Sequence, residues 1–583
     1  MRKYWSSRVA AVVTAPMLVA ALLISSMAVA PAAEALVGDQ VTEGEQLYVV
    51  KLEIGAHDRA CSGALVEELW VLTAASCFVD DPAQYATLVP GAPALATQAI
   101  VGRTDSTSTA GAVRGVVELV PMAGRDLTLA RLSSPVTNVE PVSLSSVPAV
   151  TSDTVEVSGY GRTADEWAPL RMHRESFTVV GGTATDLQID SQGGGAICMG
   201  DGGGPVVRSG IDGDELVAVA SRSWQGGCFG SAETRTAAVA TRVDVLAGDI
   251  GIRVARWALK SRRSGQYVTA EGGRSGDLAR LLRAASANVT SAETYTLRTA
   301  DGGETVEFRS EVNGRFVKAE IERTDSYRDI LRARVITPGA TERFTLAQMK
   351  GGYYAIRSVA NGEYVRARLS TEEQDAWLLR ADGGAWEPPL YLPGPDDCGS
   401  AGVVALAAPV PPTCPPTEFQ FKFEHVDNFR IDGGESFGPR PMAYPDDPPT
   451  AATPPDDLPF VVEDFNYPGA DRILDEWGVE LMRGDGHIVL VECSSGSNLL
   501  RISARGLPRG LEVCFRTTGN EGFLTLEIPL VFGVITNDSS NTHVELISDQ
   551  GAAEYDIPAN QIRAVGESAG NGDSTLLEIR VTR

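Results

Sequence analysis

Apolar and polar positions along the chain alternate in short runs, and clusters of glycine, proline, asparagine and serine separate these runs. One example is the run Leu47–Leu52. Alternation with a period of two is typical of strands that bury one face. With 60 Gly and 33 Pro among 583 residues, turns are frequent, as expected for a β-rich chain. The pattern predicts an all-β fold class, and the length predicts several domains of roughly 150 residues each.

The longest apolar run lies at the N-terminus, where it spans residues 9–30 after three basic residues. It is followed by Ala33-Glu34-Ala35, which fits the small-residue pattern of a signal peptidase site. Residues 1–35 are therefore predicted to be a secretory signal peptide, and the mature protein to be extracellular. An uncleaved anchor helix stays the alternative, because the run is nearly long enough to span a bilayer. No second such run follows, so no membrane association is expected after cleavage.

The eight cysteines fall in sequential pairs, and no spacing among them resembles a zinc site. Export would place them in an oxidising compartment, where local disulfides are the natural expectation. The sequence alone leaves their connectivity open. The sequential pairs are Cys61 and Cys77, Cys198 and Cys228, Cys398 and Cys414, and Cys493 and Cys514.

The net charge of −26 argues against a nucleic-acid partner, since a polyanion would be repelled. Carboxylates such as Asp485, Asp538 and Asp549 could recruit calcium, but scattered carboxylates on an acidic surface are usually solvated. We therefore predict no metal site and no cofactor.

The segment Cys198–Pro205 reads Cys-Met-Gly-Asp-Gly-Gly-Gly-Pro. It resembles the nucleophile loop of trypsin/chymotrypsin-like serine proteases, Gly-Asp-Ser-Gly-Gly-Pro, with Gly202 at the nucleophile position. Further segments resemble landmarks of that family in the same order. They are Leu36–Asp39, Cys61–Val66, Val71–Cys77, Gly124–Leu132, Ser158–Gly161 and Ser223–Cys228. The resemblance implies a trypsin-like double β-barrel over residues 36–250.

The resemblance also places the catalytic residues, and two of three are replaced. Asp126 matches the carboxylate of the triad, but Ser76 stands where the family has histidine, and Gly202 stands where it has serine. Acyl transfer on this fold needs a hydroxyl nucleophile and an imidazole that takes its proton. The backbone N–H groups of Gly200 and Gly202 could still form an oxyanion hole. Whether the chain is an enzyme stays uncertain, and the missing residues favour the answer no.

The resemblance implies two further features. A cut after Ala35 would free the α-ammonium of Leu36, which in the family pairs with the aspartate before the nucleophile, here Asp201. The specificity pocket is assigned to Ala196, Ser223 and Trp224. Trypsin-like enzymes carry Asp at the position of Ala196, so a preference for Arg or Lys is not expected.

Two histidines lie in this domain, His57 and His173, and neither falls at the position of the catalytic base. Both are expected on the surface. Gly202 is interpreted as the residue that most easily adopts a strained loop conformation.

Residues 251–395 contain a repeated strand–turn–strand unit. The turn glycines Gly265, Gly314 and Gly362 recur at offsets of 49 and 48 residues, and an aromatic strand closes each unit. Three such units predict a β-trefoil. The repeats resemble the fascin-like trefoil, which implies carbohydrate or polymer binding, whereas a spacer or packing module is the alternative. The closing strands are Tyr295–Leu297, Phe344–Leu346 and Leu390–Leu392.

Residues 396–458 are predicted to be a Pro-rich linker, in which the alternating segment Phe419–Phe423 pairs with the last domain. Residues 459–583 predict an acidic β-sandwich-like domain with a short helix at Gly469–Trp477 and a bridge between Cys493 and Cys514. This domain resembles C-terminal domains of secreted actinobacterial proteins. Its predicted strands are His487–Val491, Leu499–Ile502, Leu511–Phe515, Phe523–Pro529 and Leu576–Val581.

These features together predict a secreted trypsin-like serine protease homologue that is catalytically inactive and acts as a binding or adhesion scaffold. Its partner would be a glycan, a cell-wall polymer or a protein ligand. The alternative is an active serine-type endopeptidase or esterase with an unorthodox site.

Overall fold

The computed structural model describes residues 39–583 except 192, 211–212, 273–274, 277–278, 301–304, 349–352, 371–375, 384–416, 427–430, 433–457 and 494–497. The predicted signal peptide, Leu36 and Leu390–Leu392 therefore lie outside the described residues. Residues 36–583 form one compact unit. Strands dominate the described part, which confirms the all-β fold class.

Three of the four predicted disulfides are present in the described part of the chain. They join Cys61 to Cys77, Cys198 to Cys228, and Cys493 to Cys514. The fourth predicted pair, Cys398 and Cys414, falls in the segment 384–416, outside the described residues. A bridge between Cys398 and Cys414 therefore stays a prediction, whereas the other three pairings are confirmed.

Among its described residues, the first part of the unit contains fourteen strands and one α-helix. They are β1 (Asp39–Gln40), β2 (Val49–Ile54), β3 (Arg59–Glu67), β4 (Trp70–Thr73), β5 (Thr97–Val101), β6 (Ala112–Pro121), β7 (Thr128–Leu132), β8 (Ser143–Ser145), β9 (Thr154–Gly159), β10 (His173–Gly182), β11 (Asp186–Ser191), β12 (Pro205–Gly210), β13 (Gly213–Ser223), β14 (Ala238–Arg242) and α1 (Ala247–Val254).

Twelve of these strands form two closed barrels. The first has the order β2-β3-β4-β7-β6-β5. The second has the order β12-β9-β10-β11-β14-β13 and closes through pairing of β12 with β13. Inward-facing positions of both barrels are apolar and buried, as the alternating pattern predicts. This is the double barrel expected for residues 36–250, and the first two disulfides form within it.

A third ring of strands follows the double barrel. Its strands are β15 (Arg256–Ser261), β16 (Tyr267–Ala270), β17 (Leu282–Ser286), β18 (Thr294–Ala300), β19 (Thr305–Ser310), β20 (Arg315–Ala319), β21 (Leu331–Val335), β22 (Arg343–Gln348), β23 (Tyr353–Ser358), β24 (Val365–Ala367), β25 (Leu379–Ala381) and β26 (Phe421–His425). Six of them, β15-β18-β19-β22-β23-β26, pair in a closed cycle. The others form three hairpins, β16-β17, β20-β21 and β24-β25.

The sixth strand of this ring corrects two predictions. Residues 421–425 do not pair with the last domain and do not belong to a linker, because they pair with β15 and β23. Phe421 and Phe423 are buried in the ring, and the Phe423 ring lies 5.2 Å from that of Tyr354. Alternating aromatic residues fill the last gap in the barrel, so the ring extends past residue 395. A short strand β27 (Ile431–Asp432) then pairs in parallel with β8.

The last part of the chain is a sandwich of two five-stranded sheets, β28-β32-β37-β34-β35 and β29-β31-β30-β33-β36. Helix and strands at the predicted positions are all present, whereas the strand over Glu480–Gly484 and the strands between 531 and 564 are not predicted by the sequence. The elements are α2 (Ala470–Trp477), β28 (Glu480–Gly484), β29 (Ile488–Val491), β30 (Leu500–Leu507), β31 (Gly510–Thr517), β32 (Glu521–Ile528), β33 (Val531–Ile535), β34 (Asn541–Ser548), β35 (Gly551–Ile557), β36 (Ile562–Ala564) and β37 (Ser574–Thr582).

The sandwich shares its core with the double barrel. Trp167, from the loop between β9 and β10, is 1% exposed and lies in the hydrophobic core of the sandwich. Its ring centroid is 4.9 Å from that of Tyr467. Burying an aromatic ring of this size stabilises the contact between the two parts substantially. None of the helices in the described part of the chain is long and apolar enough to cross a membrane.

Candidate active site

Ser76 and Asp126 lie together between the two barrels, as their matches to family motifs imply. Ser76 is in a short 3-10 turn over Ala75–Phe78, directly after β4. Its hydroxyl donates to Oδ2 of Asp126 at 2.9 Å, and its N–H donates to Oδ1 at 2.7 Å. The Ser221 hydroxyl also donates to Oδ2, at 2.7 Å. Each carboxylate oxygen is therefore satisfied by serine donors.

Asp126 is too weak a base to take the proton of the Ser76 hydroxyl, although burial makes it a stronger base than an exposed carboxylate. Asp126 is buried, and burial raises its pKa although hydrogen bonds from Ser221 and Ser76 act in the opposite direction. A carboxylate remains a far weaker base than a serine alkoxide. Among the described hydrogen bonds, Asp126 receives none from an imidazole.

The loop with Gly200 and Gly202 directs two backbone N–H groups at one carbonyl oxygen. The oxygen belongs to Val461, and it accepts from Gly200 at 2.9 Å and from Gly202 at 3.0 Å. This is the geometry of an oxyanion hole. The predicted donors therefore converge, but on a residue of the same chain that the sequence did not indicate.

Val461 belongs to an extended segment, residues 459–463, which we call the cleft strand. On one side it pairs with the end of β13, where Ser223 N–H donates to Pro459 O at 3.0 Å and Val461 N–H donates to Ser221 O at 3.1 Å. On the other side Glu463 and Ala60 exchange two hydrogen bonds of 3.0 and 2.9 Å. The cleft strand therefore lies between the two barrels and passes over the oxyanion-hole donors.

The backbone of the loop differs from the prediction for Gly202. The strained, positive φ angles are at Gly200 (97°) and Gly203 (79°), whereas Gly202 has no positive φ. The prediction that Gly202 relieves backbone strain is therefore wrong. A Cβ at position 202 would lie 2.9 Å from the Val461 oxygen and 3.2 Å from its carbonyl carbon. Gly202 instead gives room for the close approach of the cleft strand.

Side chains of the cleft strand are buried by both barrels. Val461 is 0% exposed and packs in the core of the second barrel with residues such as Ile197 and Ala218. Val462 packs in the core of the first barrel, beside the Cys61–Cys77 bridge. Phe460 lies beside Tyr85, with ring centroids 5.9 Å apart. The cleft strand thus connects the hydrophobic cores of the two barrels across the cleft.

Glu463 makes the strongest polar contact of the cleft strand. Its carboxylate accepts two hydrogen bonds from the Arg162 guanidinium, at 2.6 and 2.7 Å, and one from Trp167 Nε1 at 3.2 Å. Both charged side chains are almost fully buried. Arg162 follows the predicted Ser158–Gly161 motif, but nothing in the sequence marked it as a functional residue.

Asp201 has its own buried partners. Its carboxylate accepts from the N–H groups of Gly161 and Cys198 at 2.8 and 2.9 Å, and it lies 3.3 Å from Nε2 of His173. Burial alone would lower the pKa of His173, but the Asp201 charge outweighs this and raises it. His173 is 5% exposed, so the prediction that it lies on the surface is wrong. The proposed partner of Asp201, Leu36, lies outside the described residues.

The residues assigned to the specificity pocket are only partly brought together. Ala196 is buried with the Cys198–Cys228 bridge. Ser223 pairs with the cleft strand through its backbone, whereas Trp224 is half-buried with Arg235 lying 3.4 Å over its ring. The serine that contacts Asp126 is Ser221, two residues before the one matched to the family's Ser-Trp-Gly wall. The letters Ser-Trp do not show which serine of this strand faces Asp126, because the pairing of the strand sets that position.

Comparisons with known proteins agree with this geometry. The family profile described as Trypsin matches residues 35–248. The chain is 30% identical to Brachyurin of Leptuca pugilator over 170 residues, which cover 26% of this chain and 72% of that protein. It is 29% identical to Coagulation factor XII of Rattus norvegicus over 215 residues, 32% of this chain and 35% of that protein. It is 28% identical to Venom plasminogen activator Haly-PA of Gloydius brevicauda over 211 residues, 32% of this chain and 79% of that protein.

Proposed function

The chain belongs to the trypsin family through residues 35–248, and on this premise we propose that it is a catalytically inactive homologue that works as a binding scaffold. The observation that carries the proposal is the hydrogen bond between the Ser76 hydroxyl and Asp126. A hydroxyl occupies the place of the imidazole, and no side chain exists at Gly202. The site therefore holds a carbonyl group but has neither the base nor the nucleophile of the family.

The alternative, an active hydrolase with Ser76 as nucleophile, has little support. Ser76 is 0% exposed, so a substrate carbonyl would need to reach a buried hydroxyl. Asp126 would have to accept a proton from that hydroxyl, against a large difference in pKa. The oxyanion-hole donors at Gly200 and Gly202 are already paired with the carbonyl of Val461.

Hydrolysis of an activated p-nitrophenyl ester by the purified full chain tests this proposal. Wild type, Ser76→Ala and the exposed control Ser134→Ala are compared at equal concentration. We expect all three to hydrolyse the ester at the same low rate. A rate that falls in Ser76→Ala but not in Ser134→Ala would establish Ser76 as a nucleophile and contradict inactivity.

The scaffold role assigns binding to the ring of strands between residues 256 and 425. We propose a glycan, a cell-wall polymer or a protein ligand as its partner, in line with the resemblance of the repeats to fascin-like trefoils. Secretion fits the N-terminal apolar run and the described disulfides. Retention of the full chain on insoluble cell-wall material, with release by soluble polymer, would support this role. No retention on any polymer tested would remove the adhesion part of the proposal.

A further inference from the structure

We propose that the cleft between the barrels is a site for extended peptides with a carboxylate two residues after the carbonyl held by Gly200 and Gly202, and that the cleft strand is its resident ligand. The proposal rests on the proposed function, because an active site would cut the peptide that it holds.

Backbone pairing gives the site affinity for any extended peptide. The edge of β13 offers the N–H of Ser223 and the carbonyl of Ser221, and β3 offers both groups of Ala60. A peptide between these edges gains main-chain hydrogen bonds on both sides, as in other recognition by strand addition. This part of the recognition does not depend on sequence.

Gly202 makes the centre of the cleft suitable for binding a peptide without cleaving it. Without a side chain at 202, the carbonyl of Val461 sits directly against the two N–H donors. A Cβ there would fall 2.9 Å from the carbonyl oxygen, which is closer than atoms of this kind normally pack. The absence of a side chain at position 202 therefore both removes the nucleophile and makes room for the ligand.

The two central side chains of the ligand must be apolar. Val461 and Val462 are 0% and 4% exposed, and they enter the cores of different barrels. Both valines pack against apolar residues of these cores, so a charged residue in either place would be desolvated. The valine pair thus fixes the register of a bound strand.

Arg162 selects peptides that carry a carboxylate at the position of Glu463. Its side chain is 7% exposed, and the guanidinium forms a bidentate pair with Glu463. A peptide with a neutral residue at this place would leave the guanidinium buried and without its carboxylate, which is strongly unfavourable. Sites that leave a buried charge unpaired reject ligands more sharply than sites that merely lose a contact. We therefore assign Arg162 as the specificity-determining residue.

The test uses the full chain with its resident strand displaced. Val461→Asp and Glu463→Lys each replace one side chain of the cleft strand and no residue of either barrel. The probe is a fluorescein-labelled synthetic peptide with the sequence of residues 457–465, and fluorescence polarisation measures its binding. We expect either variant to bind this peptide at least tenfold more tightly than wild type, whose cleft is occupied.

Selectivity is measured with a second peptide that carries the Glu463→Gln change. We expect it to bind Val461→Asp at least tenfold more weakly than the first peptide. Adding Arg162→Met to that variant should reduce this difference to less than threefold. Thermal unfolding confirms that each variant is folded before binding is scored.

Three outcomes overturn the proposal: neither folded variant binds the probe, wild type and variants bind it equally, or the Glu and Gln peptides bind alike. Mass spectrometry of the recovered peptide separates this proposal from the proposed function. A cut peptide contradicts inactivity and leaves the binding site standing. An intact peptide that does not bind contradicts the binding site alone.

Discussion

Replacing Gly202 with alanine should loosen the cleft strand without disturbing the rest of the fold. The added Cβ would lie 2.9 Å from the oxygen and 3.2 Å from the carbonyl carbon of Val461, and 3.7 Å from Sγ of Cys61. The first two distances are too short for van der Waals contact, so the strand or the loop must shift. Introducing one methyl group into a well-packed site costs about 1–3 kcal/mol. The two hydrogen bonds to the Val461 oxygen, each worth about 0.5–1.5 kcal/mol, weaken with it.

Hydrogen exchange measures this effect at the amides of the cleft strand, which the substitution does not alter chemically. The Val461 and Glu463 amides donate to Ser221 and Ala60, and their protection reports local opening of the strand. A loss of about 1–3 kcal/mol predicts exchange about 5- to 150-fold faster, since every 1.4 kcal/mol is tenfold.

The matched control is Gly115→Ala, because Gly115 has no positive φ and a Cβ there meets only the Ser133 hydroxyl at 3.9 Å. We expect the control to exchange like wild type over residues 460–464. If Gly202→Ala and Gly115→Ala gave the same exchange over these residues, the close approach at position 202 would be refuted.

Three further predictions concern other parts of the molecule. The pKa of His173 is raised in the fold, so protonated His173 stabilises the folded state fully below about pH 6.5. This stabilisation fades as the pH rises through the folded pKa, and His173→Gln should therefore flatten the pH dependence of Tm in that window. Phe421→Ala should lower the free energy of unfolding by about 3–5 kcal/mol in urea titrations, since Phe421 is 0% exposed in the ring; a linker residue would cost almost nothing. Replacing Cys493 and Cys514 by alanine should cost about 2–4 kcal/mol in the same titrations, because the bridge closes a separation of 21 residues.

Local motifs were enough to predict the double barrel and the pair of Ser76 and Asp126. Family spacing places both residues on short segments next to barrel strands, and such segments keep their position when single side chains change. The convergence of the Gly200 and Gly202 N–H groups followed from the same motif. These predictions depend on contacts that are local or already fixed by the barrels.

The cleft strand and the barrel strand that contains Phe421 are not predicted from the sequence, because both depend on pairing between distant segments. The cleft strand lies more than 200 residues from its partners Ser221 and Ala60, and its apolar run Phe460–Val462 looks like the start of any globular domain. The proline-rich segments around Phe421 predict a linker, although its alternating neighbours fit a barrel strand. In both cases a short apolar run has a pattern that indicates burial but does not identify the surface that buries it.

The register of Ser221 shows the same limit at smaller scale. Matching letters aligned Ser223 and Trp224 with a family motif, whereas the pairing of β13 with the cleft strand and the hydrogen bond to Asp126 select Ser221. A shift of two residues keeps side chains on the same face of a strand, so the alternation of apolar residues does not show which of the two serines, Ser221 or Ser223, faces Asp126.

The most direct test of the account is reaction of the full chain with a fluorophosphonate, followed by intact mass measurement. The reagent phosphonylates an activated serine, whereas Ser76 is buried, hydrogen-bonded to Asp126 and without an imidazole among its described partners. We predict no added mass under conditions in which an active trypsin-family enzyme is fully labelled. Labelling at Ser76 that disappears in Ser76→Ala would contradict the account.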